Sequence, residues 1–306
     1  MLDILPLSLE DYLILPVPKL ERLFGSWLKS NSSIMISGKE GIGKSLFINT
    51  LVLSISHGNS CFGWESGGAI PVGLMDGETD DARLQERLLK LRSGLGVQSG
   101  TLRVLTRWMY LNKNKEFPCL SMNKHQEMIL KHFEGTKVLV VDNINCCFNI
   151  NDENNTSEWL RVQEFVYKAR SKGMSVILIH HTPKSNPKSP AGSSRNIRFI
   201  DYSMLLTRLE NANANEVSFK FEILKTRDFD VDLVPFTAKL TQHGENSLVW
   251  EVDSENRKMT DKLMELKDSG LTYREIAEQT GVSKSTAQRI YESSKSDLSH
   301  VPTTRN

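Results

Sequence analysis

The amino-acid sequence predicts an α/β protein in which helices cover a mostly parallel sheet, followed by a small all-α domain. Short apolar runs separated by helical stretches recur at 34–36, 71–75, 138–141, 176–179 and 204–206. These runs are continuously apolar rather than alternating, which is typical of strands buried on both faces and therefore of a parallel sheet. After residue 252 the chain becomes charged and helical.

Size and composition bound the organisation of the chain. Its 306 residues are enough for one large α/β domain and one small module. The 38 basic and 37 acidic side chains give a net charge of +1. No global basic field therefore indicates nucleic acid, and any DNA contact must be a local patch.

The cysteines and the apolar runs bear on the compartment. The four cysteines have neither the spacing of a zinc site nor the density of a disulfide scaffold, which favours a reducing cytoplasm. No apolar run approaches the roughly 20 residues of a membrane helix, and the start of the chain lacks a basic signal-peptide region. We expect a cytoplasmic protein without a membrane partner.

The order of the remaining segments predicts the domain boundaries. The runs at 217–224 and 233–240 alternate and lie close together, which predicts a hairpin at one edge of the sheet. The proline-rich stretch 181–198 is expected to be a mobile loop. The first domain should span 1–252 and the second 253–292, with a disordered tail at 293–306.

A phosphate-binding loop is the strongest motif. It follows the apolar run 34–36 and opens an apolar-periodic helix, as the motif requires, and it consists of Gly38, Lys39, Glu40, Gly41, Ile42, Gly43, Lys44 and Ser45. Its backbone N–H groups would bind phosphates, Lys44 would reach the β- and γ-phosphates, and the Ser45 hydroxyl would ligate Mg²⁺. A chance glycine-rich turn of this form has odds of about one in a hundred. The motif predicts ATP and Mg²⁺ as ligands.

Two further polar positions follow apolar strands. Asp142 ends the run 137–141, where a carboxylate would hold Mg²⁺ through water. Buried strands often end in Asp, so it is the upstream P-loop that favours this role. Glu78 follows the second strand, which we expect beside the P-loop strand, and is our candidate for the base that orients water. Alternatively Asp76, Glu78, Asp80 and Asp81 form an acidic helix start, and the role of Asp76 stays open.

A pair of histidines follows the strand at 176–179. A polar residue at that sheet edge could sense the γ-phosphate, whereas a lone histidine is more often structural. We expect one of His180 and His181 to be structural, and favour His181 as the sensor.

Taken together, the motifs resemble a known family over about Leu13 to Trp250. The matching segments are 38–45, 75–78 with 83–88, 140–144, 152–154 with Trp159, 176–184, 192–195 and 221–227. In this order and spacing the chain resembles the RepA-like branch of RecA/DnaB hexameric ATPases of plasmid and phage replication. The resemblance implies a RecA-like fold and a homo-oligomer, in the family a hexamer.

The resemblance also implies roles for basic residues. Lys225 and Arg227 are similar to a Lys-x-Arg pair that reaches a neighbouring subunit's γ-phosphate, although an ordinary basic strand end would look the same. The loop after His181 matches one that touches single-stranded DNA, with candidate contacts Lys184, Lys188, Arg195 and Arg198. The family often has Arg or Gln before the glycine of this loop, whereas this chain has Pro190 and Ala191.

A helix-turn-helix pattern occupies the second domain. Thr272 and Glu275 form a capping box, Ile276 faces inward and Gly281 supplies a turn. The pattern resembles that of resolvases and sigma-type regulators. The second helix would display the residues Lys284, Ser285, Thr286, Gln288 and Arg289 to double-stranded DNA. A small helical docking bundle is the alternative.

Two functions fit these features. The first is an ATP-hydrolysing DNA motor of plasmid or phage type, a helicase-like ring that translocates on single-stranded DNA. The second is an ATP-gated DNA-binding regulator or replication initiator with little unwinding activity.

Overall fold

The computed structural model describes most of the 306-residue chain. The described residues are 5–98, 100–150, 152, 155–182, 197–209, 216–228, 233–282, 284, 287, 288 and 291, without the side chains of 254–261. Most of the predicted loop at 181–198 and the tail at 293–306 lie outside these residues. So do the predicted DNA contacts Lys184, Lys188, Arg195, Ser285, Thr286 and Arg289.

Eleven strands and nine helices have defined bounds in the described chain. The strands are β1 (Arg22–Phe24), β2 (Leu28–Lys29), β3 (Ser33–Gly38), β4 (Val72–Asp76), β5 (Leu102–Thr106), β6 (Val138–Asp142), β7 (Ser175–His181), β8 (Tyr202–Arg208), β9 (Ser218–Lys225), β10 (Phe236–His243) and β11 (Ser247–Ser254). The helices are α1 (Leu9–Leu13), α2 (Lys44–His57), α3 (Asp81–Leu95), α4 (Arg107–Leu111), α5 (Asn123–His132), α6 (Ile144–Phe148), α7 (Thr156–Ser171), α8 (Glu255–Asp268) and α9 (Tyr273–Thr280).

Nine of the strands form one sheet in the order β11-β10-β9-β8-β3-β7-β6-β4-β5. From β8 to β5 neighbouring strands are parallel, and β9, β10 and β11 are added antiparallel. The prediction of an α/β fold with a mostly parallel sheet is confirmed.

Three details of the predicted sheet were wrong. The strand before Glu78, β4, is separated from the P-loop strand β3 by β7 and β6. The predicted hairpin strands β9 and β10 do pair, but β11 lies outside them as the edge strand. The sequence analysis also missed β5, the edge strand at the other end, which mixes Arg103 and Thr106 with apolar residues.

The two faces of the sheet carry separate cores, which explains the continuously apolar strands. In β3, Ile34 and Ile36 pack on one side with α2, whereas Met35 packs on the other side with α5, α6 and α7. Successive residues of a strand point to opposite faces, so a strand covered on both sides has no polar positions. The ends of these strands are therefore where polar side chains collect.

The described residues after β11 form a helical segment. Helix α9 begins with the predicted capping box between Thr272 and Glu275 and ends at Gly281 in the left-handed conformation. Leu263, Ile276 and Ala287 form a small core, and Lys284 and Gln288 are exposed. In the described part of the chain, no helix is both long enough and apolar enough to cross a membrane.

Candidate nucleotide-binding site

The P-loop joins the end of β3 to the start of α2. Gly41 and Gly43 have φ angles of +76° and +100°, which side chains disfavour. A Cβ atom at Gly43 would also overlap Cγ1 of Val217, whereas one at Gly41 would meet no atom within 4 Å. The loop thus leads the backbone into the N-terminus of α2, where free N–H groups and the helix dipole favour an anion.

Lys44 lies at the bottom of this loop, almost fully buried. Its Nζ atom donates to the carbonyl oxygens of Gly38, at 2.7 Å, and Lys39, at 2.9 Å. Burial lowers the pKa of Lys44 to about 8, against the opposing effect of Asp142, Glu78 and Glu40. The loop therefore holds a cation in a site poor in water, which is suited to bind phosphate.

Two carboxylates end neighbouring strands, with Asp76 of β4 directly opposite Asp142 of β6. The Oδ1 atom of Asp76 accepts hydrogen bonds from the backbone N–H groups of Glu78, at 2.8 Å, and Thr79, at 2.7 Å. Burial raises the pKa of Asp76. Asp76, whose role the sequence did not decide, thus stabilises the turn that contains Glu78. The acidic helix start exists as well, but it is formed by Asp80 and Asp81 of α3.

Asp142 is buried beside the P-loop serine. Burial, followed by the charge of Asp76, raises the pKa of Asp142 to about 7, and a hydrogen bond from Ser45 opposes this. A buried carboxylate and a hydroxyl in contact are oxygen ligands that suit Mg²⁺. Within the described residues, no three His, Cys, Asp or Glu side chains are grouped to hold a metal alone. The donor set therefore fits a Mg²⁺ ion that takes further ligands from phosphates.

Glu78 and His181 meet across the cleft through Asn143. The Nδ2 atom of Asn143 donates to Oε2 of Glu78 and lies 3.1 Å from Nε2 of His181. Oε2 of Glu78 is 3.6 Å from the same histidine nitrogen, and Nδ1 of His181 is 3.2 Å from Nζ of Lys44. The hydrogen bond with His181 is the main cause that lowers the pKa of Glu78.

The other histidine has different surroundings. The ring of His180 is fully buried and perpendicular to the ring of Trp159, with centroids 5.4 Å apart. The structure thus places His181, rather than His180, against the P-loop lysine.

One cleft of about 610 Å³, a size that suits a nucleotide, is lined by Lys44, Ser45, Glu78, Asp142 and His181. Its outer wall contains Arg83 and Arg87 of α3, Trp108 of α4, and Val217. The sequence analysis assigned none of these four residues, nor Asn143, to the site. Asn143 could have been singled out, because it follows Asp142 inside a motif used for the resemblance.

Arg107 forms hydrogen bonds with both the turn after β4 and the helix after β6. Its guanidinium donates to the carbonyl oxygens of Gly77, at 2.7 Å, and Cys146, at 2.8 Å, and lies 4.8 Å from the ring centre of Phe117. These bonds fix the turn before Glu78 relative to the helix that begins after Asn143.

Lys225 and Arg227 lie at the end of the sheet where the parallel strands begin, whereas the P-loop lies at the end where these strands finish. Strand β9 runs antiparallel to β8, so Lys225 pairs with Ser203 at the start of β8, whereas the P-loop follows the ends of the parallel strands. Arg227 is 3.0 Å from Oδ1 of Asp201 and donates to the carbonyl oxygen of the exposed Arg198.

The surroundings of β9 correct one expectation about this basic pair. Lys225 and Arg227 were expected on an edge strand. They lie at the end of β9, which is an inner strand with β10 and β11 beyond it. The Nζ atom of Lys225 donates to the carbonyl oxygen of Ile200 at 2.6 Å, and burial lowers the pKa of Lys225. Neither cation borders the cleft of its own chain.

Comparison with known proteins gives one family. A family model described as an AAA domain matches residues 2–187. No curated protein matches the chain. Among solved structures, it is similar to a KaiC-like protein from the archaeon Pyrococcus horikoshii OT3, with 14% identity, a TM-score of 0.48, and coverage of 73% of this chain and 91% of that one. It is also similar to flagellar accessory protein FlaH from Methanocaldococcus jannaschii, with 13% identity, a TM-score of 0.47, and coverage of 72% and 90%.

Proposed function

Because the chain belongs to the AAA domain family of ATPases, we propose that it is an ATP-hydrolysing motor that forms a homo-oligomeric ring and translocates on single-stranded DNA. The observation that carries the hydrolytic part is the meeting of Lys44, Glu78, Asp142 and His181 in one cleft. These residues come from four separate segments of the sequence. The sheet brings them together because all four segments end at its carboxyl edge.

Nucleotide binding would exchange contacts that the P-loop already makes. The Nζ atom of Lys44 would turn from the carbonyl oxygens of Gly38 and Lys39 to the β- and γ-phosphates. Ser45 and Asp142 would hold Mg²⁺. When bound, this ion neutralises negative charge on the phosphate oxygens. Burial and the neighbouring charge of Asp76 raise the pKa of Asp142, so a cation bound beside it would favour its ionised form.

Glu78 would act as the base. Its depressed pKa keeps it ionised at neutral pH, so it can accept a hydrogen bond from an attacking water and orient that water. Asn143 donates to one oxygen of this carboxylate, and the other oxygen would accept from the attacking water. His181 contacts Lys44 and would report the state of the γ-phosphate to the segment that follows β7.

The DNA contacts would come from basic residues near that segment. Lys184, Lys188, Arg195 and Arg198 surround its prolines in the sequence, and the backbone of Arg198 is bonded to Arg227. Stacking and phosphate contacts in a ring channel need only a local basic strip, so the net charge of +1 is compatible with this role.

A ring would also complete the active site. Lys225 and Arg227 lie at the sheet edge away from their own P-loop, so they could meet a γ-phosphate only across a subunit boundary. A guanidinium supplied in this way stabilises the transition state, and makes hydrolysis depend on assembly. By the resemblance to RepA-like proteins, the ring would be a hexamer.

A second function is favoured by the C-terminal helices. The capping box at Thr272 and the core around Ile276 are consistent with a helix-turn-helix that displays Lys284 and Gln288 to duplex DNA. An ATP-gated DNA-binding regulator or replication initiator would use such a module without extensive unwinding. A docking bundle would have the same core without binding duplex DNA.

Strand displacement separates the two functions. The full chain would be incubated with a tailed duplex, with ATP or with a non-hydrolysable analogue, and native mass spectrometry would give the number of subunits. A motor displaces the strand only with ATP. Nucleotide-dependent duplex binding without displacement would instead support the regulator. Deletion of residues 256–306 should leave basal ATPase largely intact and remove duplex binding, because the cleft lies entirely upstream.

A further inference from the structure

Asp201 is a buried carboxylate beside Arg227 to which the proposed hydrolysis assigns no role. It lies directly before β8, and its backbone N–H donates to the carbonyl oxygen of Ser33, at the start of the P-loop strand β3, at 2.8 Å. Its side chain is only 9% exposed. A carboxylate at this depth needs charged or hydrogen-bonding partners, and its two oxygens have different ones.

The Oδ2 atom of Asp201 contacts the interior of its own chain. It accepts a hydrogen bond from the backbone N–H of Ser33 at 2.9 Å, and the Ser33 hydroxyl oxygen lies 3.0 Å away. Arg170, in the last turn of α7, places Nη1 3.3 Å from the same oxygen. These three contacts orient the carboxylate. The Oδ1 atom is thereby directed to Arg227, whose Nη1 atom is 3.0 Å away.

The contacts of Arg227 restrain its guanidinium without enclosing it. Nη1 pairs with Asp201, and Nη2 donates to the carbonyl oxygen of Arg198 at 3.1 Å. A guanidinium has more N–H donors than these two contacts use, and the side chain stays 53% exposed. A cation that is oriented by its own chain but still accessible is suited to stabilise charge on another molecule.

The backbone is also anchored on both sides of Arg227. Two residues before it, the Nζ atom of Lys225 donates to three carbonyl oxygens of the turn 197–200. One residue after it, Oδ2 of Asp228 accepts from Nζ of Lys29 at 2.8 Å. Because the backbone is fixed, the direction of the guanidinium depends on its side-chain contacts, of which the charged one with Asp201 is the stronger kind.

The two carboxylates of this region do not cancel its positive charge. Asp201 and Asp228 are outnumbered by the four neighbouring cations Lys29, Arg170, Lys225 and Arg227. An approaching phosphate would therefore still be attracted. The ion pair with Asp201 restrains Arg227 without removing its use as a cation.

We infer that Asp201 is a positioning residue that holds the guanidinium of Arg227 in the orientation that reaches the γ-phosphate of ATP bound to a neighbouring copy. The inference rests on the ring and the trans arginine proposed above. The alternative is that Asp201 only joins β8 to β3 through Ser33. In that case its loss would damage the P-loop of its own copy, because β3 leads directly into that loop.

A double-mutant cycle on the full chain tests whether Asp201 acts through Arg227. Asp201→Asn can keep an oxygen towards the N–H of Ser33 while it removes the charge that faces the guanidinium. We expect ATP affinity to be retained and kcat to fall about 10- to 100-fold, as for a misplaced catalytic group. In the Arg227→Ala background, single-turnover rates should show no further loss from Asp201→Asn. An additive loss would overturn the inference.

Two other substitutions support this cycle. Arg170→Gln disturbs the same carboxylate from the surface of α7, so it should give a smaller loss of kcat that also disappears in the Arg227→Ala background. It tests the inference even if Asp201→Asn does not fold. Glu222→Gln is the matched control, because Glu222 lies on β9 but pairs with Lys220 at 3.0 Å. Its kcat should equal that of the wild type.

Mixed subunits test whether the effect crosses the interface. Asp201→Asn keeps its own P-loop but presents a misplaced arginine. It should therefore regain activity when mixed with Lys44→Ala, which supplies an intact Arg227, and should not regain activity with Arg227→Ala. Damage to its own P-loop would give the reverse pattern and would overturn the inference.

The same proteins separate this inference from the proposed function. If Arg227→Ala recovers with Lys44→Ala but Asp201→Asn does not, only the role of Asp201 is excluded. An ATPase that shows the expected cycle but ignores DNA would exclude only the motor. Wild-type turnover in Arg227→Ala would exclude the trans arginine, and the role of Asp201 with it.

Discussion

The Nζ atom of Lys44 lies 3.2 Å from the Nδ1 atom of His181, so the P-loop lysine and the end of β7 are in direct contact. On the other side of the histidine ring, Asn143 contacts both Nε2 of His181 and the carboxylate of Glu78. Any phosphate that draws Lys44 away from its present partners must alter this chain of contacts. The strand that carries His181 then leads directly into the segment with Lys184 and Lys188, which is how hydrolysis could be linked to DNA.

Replacing the proposed base should separate binding from turnover. Glu78→Gln keeps the shape of the side chain but cannot accept a proton, so we expect ATP affinity to be retained and kcat to fall by about two to four orders of magnitude. Glu86→Gln is the matched control, since Glu86 is an exposed glutamate of α3 whose partner is Lys90. Nucleotide titration and steady-state phosphate release measure the two quantities. Wild-type turnover in Glu78→Gln would place the base elsewhere.

Asn143 should set the pH dependence of hydrolysis. The hydrogen bond from Asn143 contributes to the lowered pKa of Glu78, and Asn143→Asp replaces that donor by a second negative charge. Both changes raise the pKa of Glu78. Activity that needs ionised Glu78 is lost below this pKa, so the acid limb of the kcat/KM profile should move to higher pH, further for Asn143→Asp than for Asn143→Ala. A lower rate with an unshifted limb in both variants would mean that Asn143 acts on folding alone.

The two positive-φ glycines of the P-loop should respond differently to alanine. Both substitutions adopt a conformation that costs an L-residue about 1–2 kcal/mol, but only Gly43→Ala also collides with Val217. We expect Gly43→Ala to lower Tm and ATP affinity more than Gly41→Ala. Because the collision is with one side chain, Val217→Ala should restore part of the loss in the Gly43→Ala background. Additive effects in this double-mutant cycle would rule out the contact as the cause.

Arg227 should be required by the neighbouring site rather than by its own. Arg227→Ala should bind ATP but hydrolyse it about three to five orders of magnitude more slowly, as for other arginines supplied across an interface. The control is Arg161→Ala, whose side chain is 48% exposed compared with 53% for Arg227, and which forms an ion pair with Glu164 on its own helix. A second test is needed because Arg227 also forms an ion pair with Asp201. A purely structural role of this pair would also lower the activity of Arg227→Ala.

Mixing subunits distinguishes these roles of Arg227. Arg227→Ala and Lys44→Ala proteins should regain activity together, because some interfaces then pair an intact P-loop with an intact Arg227. Wild-type protein is also titrated with each variant. If its ATPase activity falls in proportion to the variant fraction, mixed rings that show no recovery of activity at any ratio would contradict the trans role. A loss much steeper than the variant fraction indicates instead that an unbroken ring is required.

Sequence alone predicted those parts of the site that are fixed locally. The P-loop is set by glycines in fixed order between a strand and a helix, and Asp142 by its place at the end of an apolar run. The order of the strands was not predictable in this way, since pairing depends on how α2, α3 and α7 pack. The expectation that β4 adjoins β3 failed for that reason. The consequence for Glu78 is small, because Asp76 and Asp142 end adjacent strands.

The residues that the sequence missed depend on tertiary contacts. Val217 precedes β9 yet touches Gly43 in the P-loop, and Trp108 reaches the cleft only because β5 is the edge strand beyond β4. Neither residue has a local pattern that indicates such a position. The apolar residues between 5 and 20 are the opposite case. Their sequence is compatible with a place in the core, but the structure shows them exposed.

The most direct test of the account is the rate of ATP hydrolysis by the full chain, measured as single-stranded DNA is added. We predict Mg²⁺-dependent turnover that rises with single-stranded DNA, rises less with duplex of equal length, and is absent in Lys44→Ala, whose P-loop lacks the cation for the β- and γ-phosphates. The stimulation should weaken with salt, because it depends on phosphate contacts. A protein that hydrolyses ATP at the same rate with and without single-stranded DNA would contradict the proposed motor.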